Sequence, residues 1–267
     1  MKYAYISLKY MHKNWLVYFV ISILPSIILG IYSTPFNIAT FWIKYKELHT
    51  VNFGSMLGLL FNVNNIIYVY PLIAIAVLVV MSSSMYYNTM EQHLKVGRLS
   101  LDRPIMGINY TIIPVVISLS IFVVVVVLLK IIIASISYVI HETLHQRLDP
   151  IVVNMIMAIV AILLIFVSIA LFLSMILWIP SLIMSGYKFM DMMVYCLRLV
   201  QSNFLHIYFS VIMPMIVTVI VSILLSLLNI EWIIFFFNIF VYLFWIMYLQ
   251  TFSMVAYFAL TNIEILD

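Results

Sequence analysis

Charged residues are scarce in this sequence, and their scarcity excludes a water-soluble domain. Only 8% of the 267 residues are charged, whereas 67% are hydrophobic. A soluble domain has about 25% charged residues and roughly half apolar ones. Cysteine is rarer still, because Cys196 is the single one and the chain therefore cannot form an internal disulfide. We expect a protein whose surface faces lipid rather than water.

Motifs for common chemistry are also lacking. The sequence has no Gly-rich phosphate loop, no nucleophile elbow, no cysteine pair and no paired carboxylates. An ATPase subunit is therefore excluded, and nothing indicates nucleic-acid binding. We expect a non-catalytic protein with no cofactor.

Long apolar runs are what the chain has instead. Several runs exceed about eighteen residues without a charge, which lets a helix cross roughly 30 Å of hydrocarbon. They predict an all-α, polytopic helical membrane protein with a single transmembrane domain. The six predicted spans are residues 15–32, 66–87, 111–133, 151–178, 207–228 and 232–260. The first lacks a signal-peptide cleavage pattern, so we expect it to be retained.

Basic residues are distributed unevenly between the two sides of these spans. If the N-terminus is inside, the inner segments carry eight Lys and Arg residues and the outer segments carry three. The inner residues are Lys2, Lys9, Lys13, Lys95, Arg98, Arg103, Lys188 and Arg198; the outer ones are Lys44, Lys46 and Arg147. An excess of Lys and Arg marks cytoplasmic loops, so both termini are predicted to be cytoplasmic. Abundant Ile, Asn and Tyr with few Ala and Gly suggest a bacterial source, hence a bacterial plasma membrane.

Two inner segments have the periodicity of amphipathic helices that lie in the membrane plane. In 186–204, the predicted apolar face is Phe189, Met193, Cys196, Leu197, Val200 and Phe204, and the polar face is Lys188, Asp191, Tyr195, Arg198 and Ser202. In 2–14, Lys2, Lys9 and Lys13 share one stripe, and Ala4, Leu8, Met11 and Trp15 share another. An ordinary connector is the alternative for both.

These segments also recur along the chain. Asn14, Asn109 and Asn203 each precede an aromatic residue and are 95 and 94 residues apart. Pro25 and Pro214 each follow their Asn by 11 residues. We interpret this as a threefold repeat of an in-plane helix and a transmembrane hairpin, with chance similarity as the alternative.

The segment "HETLH" matches the H-E-x-x-H pattern, in which two His ligate zinc and Glu acts as a base. The candidate metal ligands are His141, Glu142 and His145. They lie in a predicted outer connection, 141–149, and the nearest acid, Asp149, would be about 12 Å from His141 on a helix. We therefore interpret the segment as a polar helix end, with a membrane zinc peptidase as the outside alternative.

Two further features of the spans leave alternatives open. Lys130 is expected near the outer interface, where its amine reaches the headgroups; the alternative is a buried cation paired with Glu231 or Glu142. No acidic residue lies at a predicted midplane, which argues against proton-coupled transport through membrane carboxylates. The prolines near or within spans, expected to adjust packing or to kink helices, are Pro25, Pro114, Pro180 and Pro214.

The stretch "IPSLIMSGYKFMDMMVYCLRLVQSNFLHIYFSVIMP" resembles the membrane domain attached to some glycerophosphodiester phosphodiesterases and related six-helix proteins of unknown function. The inner loop "EQHLKVGRLSLDRP" is similar to loops of uncharacterised Firmicute membrane proteins. The resemblance covers about a third of the chain. It implies a fold and a location, but no phosphodiesterase chemistry.

These patterns favour a non-catalytic plasma-membrane protein that serves in transport or membrane assembly, with the lipid bilayer and other membrane subunits as partners. The alternative is a permease subunit of an ABC-type exporter, on which a cytoplasmic ATPase would dock at 90–109 or 186–204. The docking candidates are Lys95, Arg98, Arg103, Lys188 and Arg198. The in-plane placement of 186–204 counts against the exporter, because a coupling helix must project from the bilayer.

Overall fold

A computed structural model describes residues 2–32, 53–55, 69–97, 108–145, 148–185, 189–226 and 231–261. About 96% of these residues are helical, and none of them is in a strand. The prediction of an all-α protein is confirmed. Besides the helical residues 53–55, the described helices are α1 (Lys2–Lys13), α2 (Trp15–Tyr32), α3 (Val69–Val96), α4 (Ile108–His145), α5 (Pro150–Met175), α6 (Trp178–Ser185), α7 (Phe189–Ser202), α8 (Phe204–Ser226) and α9 (Glu231–Leu260).

Several of these helices are long and apolar enough to cross a membrane. Four stretches meet that criterion within the described residues, namely Tyr110–Leu144, Val167–Met184, Phe204–Ser222 and Trp232–Leu260. The pair Tyr3–Lys13 and Trp15–Ile31 meets it together, bent by 93°, and would be a fifth. By their length and composition these helices are consistent with a multi-pass membrane protein, while the count of six stays a prediction.

Two helix ends differ from the predicted span boundaries. Helix α4 continues to His145, 12 residues past the predicted end of the third span at 133. No Gly or Pro interrupts residues 115–145, so nothing in the local sequence ends the helix. The segment "HETLH" therefore forms the end of α4, in agreement with its interpretation as a polar helix end. In the predicted fourth span, 151–178, the helix breaks after Met175 and resumes as α6 at Trp178.

The described residues divide into two compact units. The first contains α1, α2, α3, α4 as far as Leu119, and the chain from Leu173 onward. The second contains the rest of α4, α5 as far as Phe172, and residues 53–55. Within the second unit, the rings of Phe122 and Phe172 pack edge to face with centroids 5.6 Å apart.

Helix α9 is the centre of the first unit, where it packs against α1, α2, α6 and α8. Its residues from Gln250 to Phe258 are all buried. Helix α2 lies against α9 at Gly30, where an added Cβ would lie 2.6 Å from Ile239 Cγ1 and 3.2 Å from Ile239 Cα. Small residues at such contacts let two membrane helices approach closely.

The two amphipathic helices pack differently from each other. In α7, Cys196 and Val200 are buried as predicted, together with Met192, which the prediction left out. The predicted polar residues of α7 that the structure describes are exposed, namely Asp191, Tyr195, Arg198 and Ser202. The exposure of the polar face agrees with the prediction, whereas Met193, Leu197 and Phe204 of the predicted apolar face are only half-buried. The in-plane placement stays a prediction.

In α1, by contrast, two small polar residues pack against the protein, while Lys9 and Lys13 of the predicted polar stripe stay exposed. Ser7 and Asn14 are buried, whereas Leu8 and Trp15 of the predicted apolar stripe are 37% and 50% exposed. Ala4 and Met11 are half-buried, so the predicted apolar stripe of α1 turns only partly outward. Ser7 and Asn14 donate to carbonyls of α1 itself, those of Tyr3 and Tyr10.

Candidate functional site: a buried hydroxyl network

Two polar runs interrupt the apolar helices and meet in the first unit. On α3 the run "SSSMYYNT" buries Ser82, Ser83, Ser84, Tyr86, Tyr87, Asn88 and Thr89, and on α9 the run "QTFS" buries Gln250, Thr251, Phe252 and Ser253. Polar groups removed from water must find hydrogen-bond partners, or each one costs free energy. The two runs satisfy most of that requirement by bonding to each other.

Three side-chain pairs join α3 to α9. They are Tyr86 Oη with Thr251 Oγ1 at 2.5 Å, Tyr87 Oη with Ser253 Oγ at 2.8 Å, and Gln250 Nε2 donating to Ser83 Oγ at 2.8 Å. Tyr86 Oη also lies 3.0 Å from the Met247 carbonyl oxygen. Each bond links residues more than 160 positions apart. Together they determine the register of the two helices.

A chain of rings extends this network toward α1 and the end of α3. The ring of Tyr18 on α2 stacks on Tyr86 with centroids 4.3 Å apart. The hydroxyl of Tyr18 lies 2.9 Å from that of Tyr10, which is also hydrogen-bonded to Nδ1 of His93. Four helices, α1, α2, α3 and α9, thus contribute to one buried polar layer.

His93 stands at the edge of this layer, beyond the predicted second span. Its burial lowers the pKa of the imidazole below the usual 6.5, and the charge of Lys13 lowers it further. At pH 7 the ring is therefore neutral, and Nδ1 can accept a hydrogen bond from the Tyr10 hydroxyl.

Gln250 gives the layer an unused acceptor. Its Nε2 donates to Ser83, but its buried Oε1 has no hydrogen-bond partner within the described residues. The buried hydroxyls of Ser22 and Ser84 are in the same situation. A buried polar group without a partner costs free energy, so these three positions weaken the packing of the layer.

Two helix prolines free carbonyls that other helices then satisfy. Proline has no N–H, so Pro25 leaves the carbonyl of Ile21 without its normal partner, and Pro214 does the same for Ser210. Ser82 Oγ donates to Ile21 O at 3.0 Å, and Tyr248 Oη donates to Ser210 O at 2.6 Å. Hydroxyls of neighbouring helices commonly satisfy such carbonyls in membranes.

Two of the three asparagines of the predicted repeat occupy the same kind of position, a one-residue junction between two helices. Asn14 alone separates α1 from α2, and Asn203 alone separates α7 from α8. In both, the side-chain amide donates to the carbonyl four residues earlier, at 3.2 Å for Asn14 and 3.4 Å for Asn203. Asn109 lies in the first turn of α4, but residues 98–107 before it are outside the described residues. The threefold repeat stays a prediction.

We expect the Ser82→Ala variant to be less stable because it leaves the Ile21 carbonyl without a donor. Interhelical hydrogen bonds in membrane proteins contribute about 0.6 kcal/mol on average and up to about 1.7 kcal/mol. The free energy of unfolding can be measured by SDS titration in mixed micelles. In a Pro25→Ala background, which restores the backbone N–H, Ser82→Ala should cost less; an equal cost in both backgrounds would contradict the assignment.

We also expect the protein to lose stability on mild acidification. The unfolded chain binds a proton at His93 near pH 6.5, but the folded chain resists it because the folded pKa is lower. Stability should therefore fall as the pH decreases from 7 through 6.5, and this contribution levels off below the folded pKa. Unfolding midpoints measured from pH 8 to 5 should lose this dependence in His93→Gln but keep it in His206→Gln, since His206 is exposed.

The sequence-predicted site residues lie elsewhere. His141, Glu142 and His145 are in the last turns of α4, and no group of three or more His, Cys, Asp or Glu side chains among the described residues could hold a metal ion. Lys95 forms a 2.7 Å ion pair with Glu91 at the end of α3, and Arg198 is exposed on α7. Arg98, Arg103 and Lys188 lie outside the described residues.

Sequence reasoning missed the hydroxyl network entirely. The signal was present as the polar run 82–84 at the end of the second predicted span and the run 250–253 in the sixth. Neither run contains a charged residue or a known motif, so a search for catalytic patterns passes over both.

Comparison of the chain with models of protein families, with curated proteins and with solved structures finds no match.

Proposed function

We propose that this chain is a non-catalytic, six-span protein of the bacterial plasma membrane that serves in transport or membrane assembly. The buried hydroxyl network carries the proposal. Polar side chains within membrane helices are costly and frequently line the path of a substrate or hold subunits together. The acceptor oxygen of Gln250 favours the transport reading, because a small polar solute could donate to it.

The proposed topology places both termini in the cytoplasm, as the distribution of Lys and Arg predicts. In this orientation α1 and α7 lie at the inner surface, and the "HETLH" end of α4 lies at the outer surface. The resemblance to phosphodiesterase-associated membrane domains agrees with this location and carries no activity.

Cysteine labelling tests the location and the topology. The Cys196→Ala variant removes the only thiol, after which single cysteines are placed at the exposed positions Lys9, Lys95 and Glu142. A membrane-impermeant maleimide added to intact cells should label Glu142→Cys and should reach Lys9→Cys and Lys95→Cys only after permeabilisation. Labelling of Lys9→Cys in intact cells would overturn the proposal.

A permease subunit of an ABC-type exporter is the second candidate, favoured by the exposure of Arg198 and Lys95 on the proposed inner side. Cross-linking in membranes followed by affinity purification should then recover an ATPase. Arg198→Glu should reduce its recovery, while Glu142→Lys at the opposite end serves as the matched control. Purification without any ATPase favours the first candidate.

A further inference from the structure

Helices α1, α8 and α9 line an open apolar groove of about 630 Å³ within the first unit. Tyr5 and Leu8 form the α1 wall, Met213 and Val217 the α8 wall, and Phe240 part of the α9 wall. A cavity of this size falls within the range of about 300–1,000 Å³ that small ligands occupy.

The groove offers almost nothing to a polar ligand. Thr218 contributes a hydroxyl to the lining, but that hydroxyl donates to the carbonyl of Pro214 on its own helix at 2.8 Å. The walls around it are aliphatic and aromatic side chains. The occupant that fits such walls is a hydrocarbon chain.

A basic stripe continues from the groove along α1. Tyr5, Lys9 and Lys13 are four residues apart and therefore share one face of the helix. Lys9 and Lys13 are exposed and form no ion pair with any residue that the structure describes. Helices α1 and α8 contain no acidic residue, and the single acid of α9 is its first residue, Glu231. The positive charge beside the groove is therefore unopposed along all three walls.

The bend between α1 and α2 places the lysine amines and the groove at the depths of a lipid's headgroup and acyl chain, respectively. The two helices meet at 93°, so α1 lies along the membrane surface if α2 crosses the membrane. The amines of the stripe then stand at headgroup level, while α8 and α9 extend the groove into the hydrocarbon.

From the apolar walls and the adjoining cationic stripe we propose that this groove binds one acyl chain of an anionic phospholipid, with the headgroup against Lys9 and Lys13. Charge complementarity favours a lipid over a second protein helix, because an apolar helix would leave both amines unmatched. The inference goes beyond the proposed function and does not depend on transport.

Photo-cross-linking of lipid to the full chain tests this site. The protein is reconstituted into phosphatidylcholine vesicles doped with phosphatidylglycerol that carries a diazirine in one acyl chain. Adducts are expected on peptides that contain Met213, Val217 or Phe240, and unlabelled phosphatidylglycerol should compete while phosphatidylcholine should not. Each basic residue near an anionic surface changes binding by about fivefold, so Lys9→Gln with Lys13→Gln should reduce labelling by roughly 25-fold.

Matched variants separate this site from ordinary lipid contact. Val217→Trp fills the groove and should abolish the adducts, whereas Val124→Trp on α4, at a similar exposure of 56% against 60%, should not. Arg198→Gln controls for loss of a basic residue elsewhere, and circular dichroism with gel filtration confirms that each variant folds. Equal labelling by both lipids, labelling unchanged in the Lys9 and Lys13 variant or in Val217→Trp, or protein–protein adducts from the groove would each overturn the proposal.

Discussion

Replacing Tyr86 with alanine is expected to lower the free energy of unfolding by about 3–5 kcal/mol, the range for large aromatic truncations in a core. Tyr86 is fully buried, stacks on Tyr18, and bonds to Thr251 and to the carbonyl of Met247. The substitution removes the ring, leaves the Met247 carbonyl without its donor and leaves the Thr251 hydroxyl without its partner. SDS titration in mixed micelles, followed by circular dichroism, measures the loss.

Two further variants separate the contribution of the Tyr86 ring from that of its hydroxyl and control for the loss of a tyrosine elsewhere. Tyr86→Phe keeps the ring and should cost only about 0.6–1.7 kcal/mol for the lost interhelical hydrogen bonds. Tyr110→Ala, on an 86% exposed position of α4, should leave the unfolding curve nearly unchanged. If Tyr86→Ala behaved like Tyr110→Ala, the hydroxyl network could not be the centre of the first unit.

Replacing Gly30 with leucine is expected to separate α2 from α9. Even one added carbon would lie 2.6 Å from Ile239 Cγ1 and 3.2 Å from the backbone nitrogen and Cα of the same residue. Overpacking typically costs about 1–3 kcal/mol, and more where backbone must move. Because the β-branched side chain of Ile239 is stiff at χ1, it cannot turn away freely. We expect a large drop in the unfolding midpoint and loss of the monodisperse gel-filtration peak.

A second substitution tests whether the contact itself is responsible. Gly30→Ala should be less severe than Gly30→Leu, and Ile239→Ala should relieve part of its cost by removing Cγ1 but not the backbone contact. Val20→Leu, at a 65% exposed position on the same helix, is the matched control and should be tolerated. If Ile239→Ala did not restore any stability to Gly30→Leu, the destabilisation would arise from something other than this contact.

The carbonyls left without a backbone donor by two prolines show what the local sequence can predict and what it cannot. The positions of Pro25 and Pro214 alone predict that the carbonyls of Ile21 and Ser210 lack a backbone donor. In a helix, the missing N–H of a proline would have bonded the carbonyl four residues earlier. Which hydroxyl satisfies each of them could not be predicted. Ser82 and Tyr248 are 61 and 38 residues away from those carbonyls, and only helix packing brings them there.

The sequence predicts which residues share a helix face, but not which face of a helix packs against the protein. The faces of α7 follow from its 3.6-residue period, and the buried Cys196 and the exposed Arg198 agree with it. The inward face of α1 does not follow, because in a membrane either an apolar or a polar stripe can face the protein. There Ser7 and Asn14 turn inward and Leu8 turns outward.

Composition and periodicity by themselves determined that this chain is helical and multi-pass, because a sequence with so few charges can satisfy its backbone in lipid only within its own helices. The tertiary structure alone decided where function is to be sought. Hydroxyls that look unremarkable in the sequence converge from α1, α2, α3 and α9, and the groove appears only where α1 folds back onto α8 and α9. Both arise from contacts between residues distant in the chain, and hydropathy, which is summed along the chain, carries no record of them.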